Sequence, residues 1–235
     1  MVYKRMKTIT QIFALLMLLS SCKSSPDPAK PGNNDTGSGL TYLALGDSYT
    51  IGESVSKEDR WPMQLAAALR ENGVAVQEPY FIARTGWTTK DLLDGTQNYH
   101  PDKPYDVVSL LIGVNNQYQG RSIEEYRSQF HDLLVRSIGY AGGNAEKVFV
   151  LSIPDWGVTP FGESVRKRTA KEIDNFNKVA KEECDKEKIL FINITDISRT
   201  ALNDVSMVAS DNLHFSAKMY RLWVNETIPA IKPKI

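Results

Sequence analysis

Apolar residues in this chain gather in short runs that end on turn-forming residues, and between those runs they fall at helical spacing. Leu40-Thr41-Tyr42-Leu43-Ala44-Leu45 stops abruptly at Gly46-Asp47-Ser48. A run of this length closed by glycine predicts a strand buried on both faces, as in a parallel sheet. The same pattern places further strands at Tyr80–Ala83, Asp106–Ile112, Lys147–Ile153 and Ile189–Ile194. A short helix is expected over Arg60–Arg70, with Pro62 near its start and Gly73 beyond its end. Ser122-Ile123-Glu124-Glu125 is a capping box that opens an amphipathic helix, with Ile123, Tyr126, Phe130, Leu133 and Leu134 on one face and Gly142-Gly143 at its end. Two more helices are expected over roughly Lys167–Lys186 and from about Ser216 to Thr227, the last packing Met219, Leu222 and Trp223. The stretch between the fifth strand and Ser210-Asp211-Asn212-Leu213-His214 reads as irregular.

Strands that alternate with helices imply parallel βαβ units joined by right-handed crossovers. The expected architecture is therefore α/β, a three-layer α/β/α sandwich on a five-stranded parallel sheet in flavodoxin-like order. No internal repeat or second domain is visible.

Before residue 40 the pattern changes. Lys4, Arg5 and Lys7 precede the uncharged run Ile12–Leu19, which leads into Ser20-Ser21-Cys22. A basic segment, a short apolar run and small residues at a cut site make a secretory signal, too short for a membrane span of ~20 residues. Leu19-Ser20-Ser21-Cys22 looks like a bacterial lipobox, in which Cys22 carries lipid and becomes the mature N-terminus. Residues 1–21 are then a lipoprotein signal peptide and residues 22–39, rich in Pro, Gly, Ser and Asn, a flexible tether. Residues 40–235 form the domain, and the protein is expected to be exported and membrane-anchored, in the periplasm or at the cell surface. With Cys22 lipidated, Cys184 has no disulfide partner; it continues the face Ile173, Phe176, Ala180 and is expected in the core.

Composition narrows the partners. The chain has 235 residues, 42% hydrophobic and 24% charged, with 28 basic and 28 acidic side chains. Removing residues 1–21 leaves 25 basic against 28 acidic, a net charge of −3. No basic surplus exists to hold a nucleic-acid backbone. There is no metal-spaced His/Cys cluster, no P-loop and no G-x-G-x-x-G, so neither metal nor cofactor is expected.

In a parallel sheet the carboxyl ends of the strands share one edge, and chemistry gathers there. The first strand delivers Gly46-Asp47-Ser48, the second Gly86, the third Gly113 and Asn115, and the fifth leads toward Asp211 and His214. Ser48 stands where a nucleophile would stand. The competing reading is a turn at Gly46 with Asp47, Ser48 or Thr50 capping a helix, Thr50-Ile51-Gly52-Glu53 fitting a capping box. Of the three histidines, His131 falls mid-helix beside Asp132 and His100 in a loop remote from any strand end. His214 alone has a carboxylate three residues before it. Spaced i, i+3, Asp211 and His214 can touch, leaving the other ring nitrogen to accept from a hydroxyl. An aspartate cap with an incidental histidine would give the same spacing. Gly86 and Gly113 also read as glycines for tight turns.

Gly46-Asp47-Ser48-Tyr49, Gly86, Gly113-x-Asn115 and Asp211-x-x-His214 resemble, in order, the four blocks of the GDSL (SGNH) hydrolase family, over about residues 40–230. The resemblance implies Ser48 as nucleophile, His214 as base and Asp211 as its orienting partner. It further implies an oxyanion hole from the backbone N–H groups of Ser48 and Gly86 and the side-chain amide of Asn115. Many members have aspartate after the oxyanion asparagine, where this chain has Asn116. The family lacks the G-x-S-x-G elbow, and so does this chain, since Thr50 occupies its last position.

The reading that follows is a serine esterase acting on carboxylic esters, lipid-like or short-acyl. Ile153–Phe161 is similar to a segment of lysophospholipase-like members. A carbohydrate O-deacetylase is the alternative within the same chemistry, and a non-catalytic surface-binding lipoprotein the alternative outside it. Tyr49, Trp87, Tyr118, Trp156 and Phe161 are candidates to line an acyl or aglycone pocket, or to serve simply as packing. Asn193-Ile194-Thr195 and Asn225-Glu226-Thr227 match the glycosylation pattern by coincidence in a bacterial lipoprotein.

Overall fold

The computed structural model describes residues 38–235. The expected signal segment, the Cys22 lipidation site and nearly all of the tether lie outside the described residues.

The chain lays down β1 (Tyr42–Gly46), a one-turn helix α1 (Ser48–Ile51), α2 (Trp61–Glu71), β2 (Tyr80–Ala83) and α3 (Thr89–Gly95). Then come β3 (Val107–Leu111), α4 (Val114–Tyr118), α5 (Ile123–Tyr140) and β4 (Val148–Leu151). The chain closes with α6 (Arg166–Glu187), β5 (Leu190–Ile192), α7 (Thr195–Arg199) and α8 (Ala217–Ile231). All pairings are parallel, in the order β2-β1-β3-β4-β5. This is the five-stranded α/β architecture that the alternating pattern implies, in the flavodoxin-like order expected.

Every residue of β1, β3 and β4 is buried. That burial explains why these strands read as continuous apolar runs rather than alternating ones. Helices α2 and α8 pack on each other, and α5 packs between α3 and α6. The spacing Ile173, Phe176, Ala180, Cys184 is all buried along α6, and burial pushes the Cys184 thiol well above its ordinary range.

Boundaries shift for local reasons. β1 starts at Tyr42 rather than Leu40, because Leu40 pairs only as a bridge with Val76 while the Thr41 N–H and hydroxyl donate to Asp106. The capping box at Thr50–Glu53 does not form. Helix α1 already starts at Ser48, capped by Asp47 Oδ1 on the Tyr49 N–H at 3.0 Å, and Gly52 ends it at φ 69°. Glu53 instead accepts from the Thr85 hydroxyl. Helix α8 runs past Thr227 through exposed Pro229, its last turn held by buried Ile231.

Registry fixes the site. Gly46 of β1 is level with Ala83 of β2 and Leu111 of β3. Ser48, Gly86 and Gly113 therefore follow three adjacent strands that end at one height. Gly113 sits at φ 125°, and a Cβ there would lie 2.6 Å from the Tyr126 ring. Only glycine lets β3 turn at once into α4, which carries Asn115.

Candidate active site

Ser48 is the first residue of α1, so its N–H has no partner within the helix. Its Oγ lies 2.9 Å from His214 Nε2. His214 Nδ1 lies 2.6 Å from Asp211 Oδ2. The bond to a carboxylate assigns the proton to Nδ1 and leaves Nε2 to accept from Ser48. Ser48 and His214 are both buried, backed by the Tyr49 ring 5.5 Å from the imidazole in an edge-on arrangement.

The Asp211 carboxylate is unusually well provided with donors. Oδ1 accepts from the Leu213 and His214 N–H groups, both at 2.9 Å, and Oδ2 from the Ser54 hydroxyl at 2.6 Å. Partial burial opposes its ionisation, but the bonds from Ser54, His214 and the backbone outweigh this and hold the carboxyl well below the usual range.

Asn115 lines the same cavity as Ser48 and His214, and one hydrogen of its amide goes to the Trp87 carbonyl at 2.9 Å. That contact orients the amide and leaves its second hydrogen for a ligand. Gly86 sits just before Trp87 in the turn after β2, at φ 83°. The cavity holds about 150 Å³ and is lined by Tyr49, Val114, Tyr118, Trp156, Phe161 and Leu213 besides Ser48, Asn115 and His214. Four of the five candidate aromatics thus line it. Trp87 does not; its ring packs under Gly95, and its contribution is the carbonyl that holds Asn115. His100 is exposed in its loop, and His131 lies on α5 at 3.5 Å from Glu183, so neither approaches the cavity. Cys22 lies outside the described residues.

Supporting residues surround these groups; Asn116 is the position the sequence already marks, whereas Gln117 and Asp155 escape sequence reasoning. Buried Asn116 accepts from the Thr89 N–H at 2.9 Å and donates to the Thr89 hydroxyl at 2.7 Å, pinning the start of α3 beside Asn115. The Thr89 hydroxyl gives its own proton to Gln129 Oε1 at 2.6 Å, so it can only accept from residue 116, and the amide of asparagine supplies the hydrogen that a carboxylate lacks. Gln117 accepts from the Trp156 indole N–H at 2.8 Å and so fixes one wall. Asp155 is buried against Arg199 at 3.0 Å and caps the turn that presents Trp156.

Asp47 is fully buried, and only one of its oxygens finds a donor. Burial pushes its carboxyl up to about 7, against the hydrogen bonds from the Tyr49 and its own N–H. An unfolded aspartate loses its proton near ~3.9. Between these values the folded chain binds the extra proton, so this group's contribution to stability falls as pH rises. Asp47→Asn keeps the oxygen that caps Tyr49 and removes the titration. The melting temperature of the variant relative to wild type is expected to climb from pH 4 to pH 7.5. A constant difference across that range would refute the assignment.

Residues 44–222 match the family model for the GDSL-like Lipase/Acylhydrolase family. The chain belongs to that family. Among solved structures it is similar to TesA, at 16% identity and a TM-score of 0.67 over 83% of this chain and 100% of that one. It is also similar to a lipase/acylhydrolase from Enterococcus faecalis, at 21% identity and TM-score 0.65, over 83% and 97% of the two chains. A third is Axe2, an acetylxylan esterase from Geobacillus stearothermophilus, at 17% identity and TM-score 0.64, over 83% and 95%. At these identities the likeness speaks for the fold. No curated protein matches the sequence. The sheet edge brings the first three blocks together, and the segment after β5 carries Asp211 and His214 to them.

Proposed function

We propose that the protein is a serine esterase that cleaves carboxylic esters through an acyl-enzyme on Ser48. The observation that carries this reading is the chain Ser48 Oγ–His214 Nε2 and His214 Nδ1–Asp211 Oδ2, at 2.9 and 2.6 Å, opening on a cavity shared with Asn115. His214 takes the Ser48 proton as Oγ attacks the ester carbonyl, and Asp211 stabilises the imidazolium. The carbonyl oxygen becomes an oxyanion held by the Asn115 amide and the N–H groups of Ser48 and Gly86. The proton on His214 passes to the departing alcohol. Water, activated by the same histidine, then releases the acid.

The cavity favours a small acyl group. A cavity of about 150 Å³ encloses a short acyl chain within its walls. Tyr118 and Phe161, each about half exposed, frame its mouth and suit the alcohol part of the ester. A carbohydrate O-deacetylase is the second reading, favoured by this small cavity beside an open aromatic surface. The N-terminal pattern supports an exported lipoprotein anchored through Cys22, with the domain from residue 40 outside the cytoplasm.

A panel of p-nitrophenyl esters of increasing chain length, run beside acetylated oligosaccharides, tests both readings. kcat/KM is expected to peak between acetyl and butyryl and to fall steeply by octanoyl. A maximum at long chains would overturn the short-acyl assignment. Failure to hydrolyse any member would overturn the esterase.

A further inference from the structure

Three non-glycine residues among the described ones take a left-handed backbone: Ser54 at φ 64°, Lys188 at 58° and Asn212 at 64°. Lys188 ends α6, where such a conformation is ordinary. The other two stand on either side of one carboxylate, that of Asp211. Asparagine tolerates this region because its short amide bonds locally; serine has less claim to it. Strain of this kind persists only where surrounding structure enforces it, and it clusters at functional sites.

What enforces it at Ser54 is a tight turn grown from the nucleophile's own helix. The Glu53 N–H donates to the Ser48 carbonyl at 2.9 Å, and the Val55 N–H to the Gly52 carbonyl. The turn delivers the Ser54 hydroxyl to Asp211 Oδ2 at 2.6 Å, across 157 positions of sequence. Oδ2 is also the oxygen that meets His214 Nδ1. Oδ1 is pinned separately by two backbone N–H groups. A carboxylate fixed at one oxygen is still free to pivot about it, and His214 is itself the group to be oriented. The second oxygen therefore needs an anchor other than histidine.

We propose that Ser54 is that anchor, a positioning residue that holds Asp211 Oδ2 in line with His214 Nδ1 and accepts backbone strain in order to do so. The inference rests on the reading of Ser48, His214 and Asp211 as the catalytic groups. The low-lying Asp211 carboxyl, to whose ionisation Ser54 contributes a hydrogen bond, agrees with it. Nothing in Glu53-Ser54-Val55-Ser56 marks the residue in the sequence. Only the turn reveals it.

The test compares Ser54→Ala and Ser54→Gly in the full-length chain. Both lose the hydroxyl, but glycine also relieves the left-handed strain. Hydrolysis of a short p-nitrophenyl ester is expected to show kcat reduced three- to tenfold in both, with KM within twofold of wild type. The melting temperature of Ser54→Gly is expected to equal or exceed that of wild type, so turnover and stability part company. In proton NMR the downfield Nδ1–H resonance of His214 is expected to move upfield as its bond to Asp211 loosens. A Ser54→Gly enzyme with wild-type kcat and an unmoved resonance would overturn the proposal, as would a loss of activity that merely tracks a loss of stability. His214→Ala is assayed alongside. If it is inactive while Ser54→Gly behaves as wild type, the positioning role alone fails. If it keeps full activity, the catalytic reading fails and this proposal falls with it.

Discussion

Ser48→Ala is expected to reduce ester hydrolysis by at least ~10⁴-fold and to abolish covalent labelling by organophosphorus reagents. The size follows from what the substitution removes. It deletes the attacking oxygen itself, and among the described residues no other hydroxyl is hydrogen-bonded to His214 Nε2. The fold is expected to survive, because among the described residues Ser48 Oγ makes no bond that holds two elements together other than the one to His214. His214 remains fixed from its far side by Asp211 at 2.6 Å. Asp47, which caps α1, is untouched. The melting temperature should therefore stay close to that of wild type. A variant that still turned over at more than about a hundredth of the wild-type rate, while remaining folded, would show that the nucleophile lies elsewhere.

The sequence carried the sheet and the groups at its edge, because both write themselves as local patterns. Buried parallel strands appear as unbroken apolar runs, and helices alternating with them imply parallel pairing; the order β2-β1-β3-β4-β5 is one of the common doubly wound orders and is read from the structure. Asp211 and His214 are legible as a pair since i, i+3 spacing lets them touch across one tight turn, which the structure builds with Asn212 at φ 64°. The contact between Ser48 and His214 spans 166 positions. Ser48 follows β1 directly, but His214 lies 22 residues beyond β5, so their meeting is suggested by the ordered family blocks and not by the sheet alone.

What stayed hidden depends on side chains meeting without any pattern. Trp87 looks in the sequence like a pocket aromatic, yet it is the backbone carbonyl that matters and the ring that packs away. Ser54 and Gln117 sit in stretches with no motif and reveal themselves only by the atoms they reach. Short helices were missed for a different reason. α4 and α7 have five residues each, too few to display a 3.6-residue period. α3 was legible in principle, since Thr88 and Asp91 form a capping box in the structure, but its seven residues carry little apolar spacing.

Asn115→Ala is expected to cost ~10²–10³ in kcat, with a much smaller change in KM. The ground-state carbonyl of an ester is a weak acceptor, whereas the oxyanion of the tetrahedral intermediate carries a full charge. A donor aimed at that oxygen therefore works mainly in the transition state. Asn115 is suited to this because its amide is not left to rotate. The bond to the Trp87 carbonyl at 2.9 Å fixes the plane, and buried Asn116 beside it anchors α3 through Thr89. The loss should be partial, since the N–H groups of Ser48 and Gly86 come from the backbone and remain. Asn115→Asp supplies the sharper comparison. It preserves the shape but places a carboxylate where negative charge must develop, and it opposes the Trp87 carbonyl as well. Its kcat is expected to fall below that of Asn115→Ala. If Asn115→Ala instead raised KM tenfold or more and left kcat unchanged, Asn115 would be a binding group for the ground state and the oxyanion role would be lost.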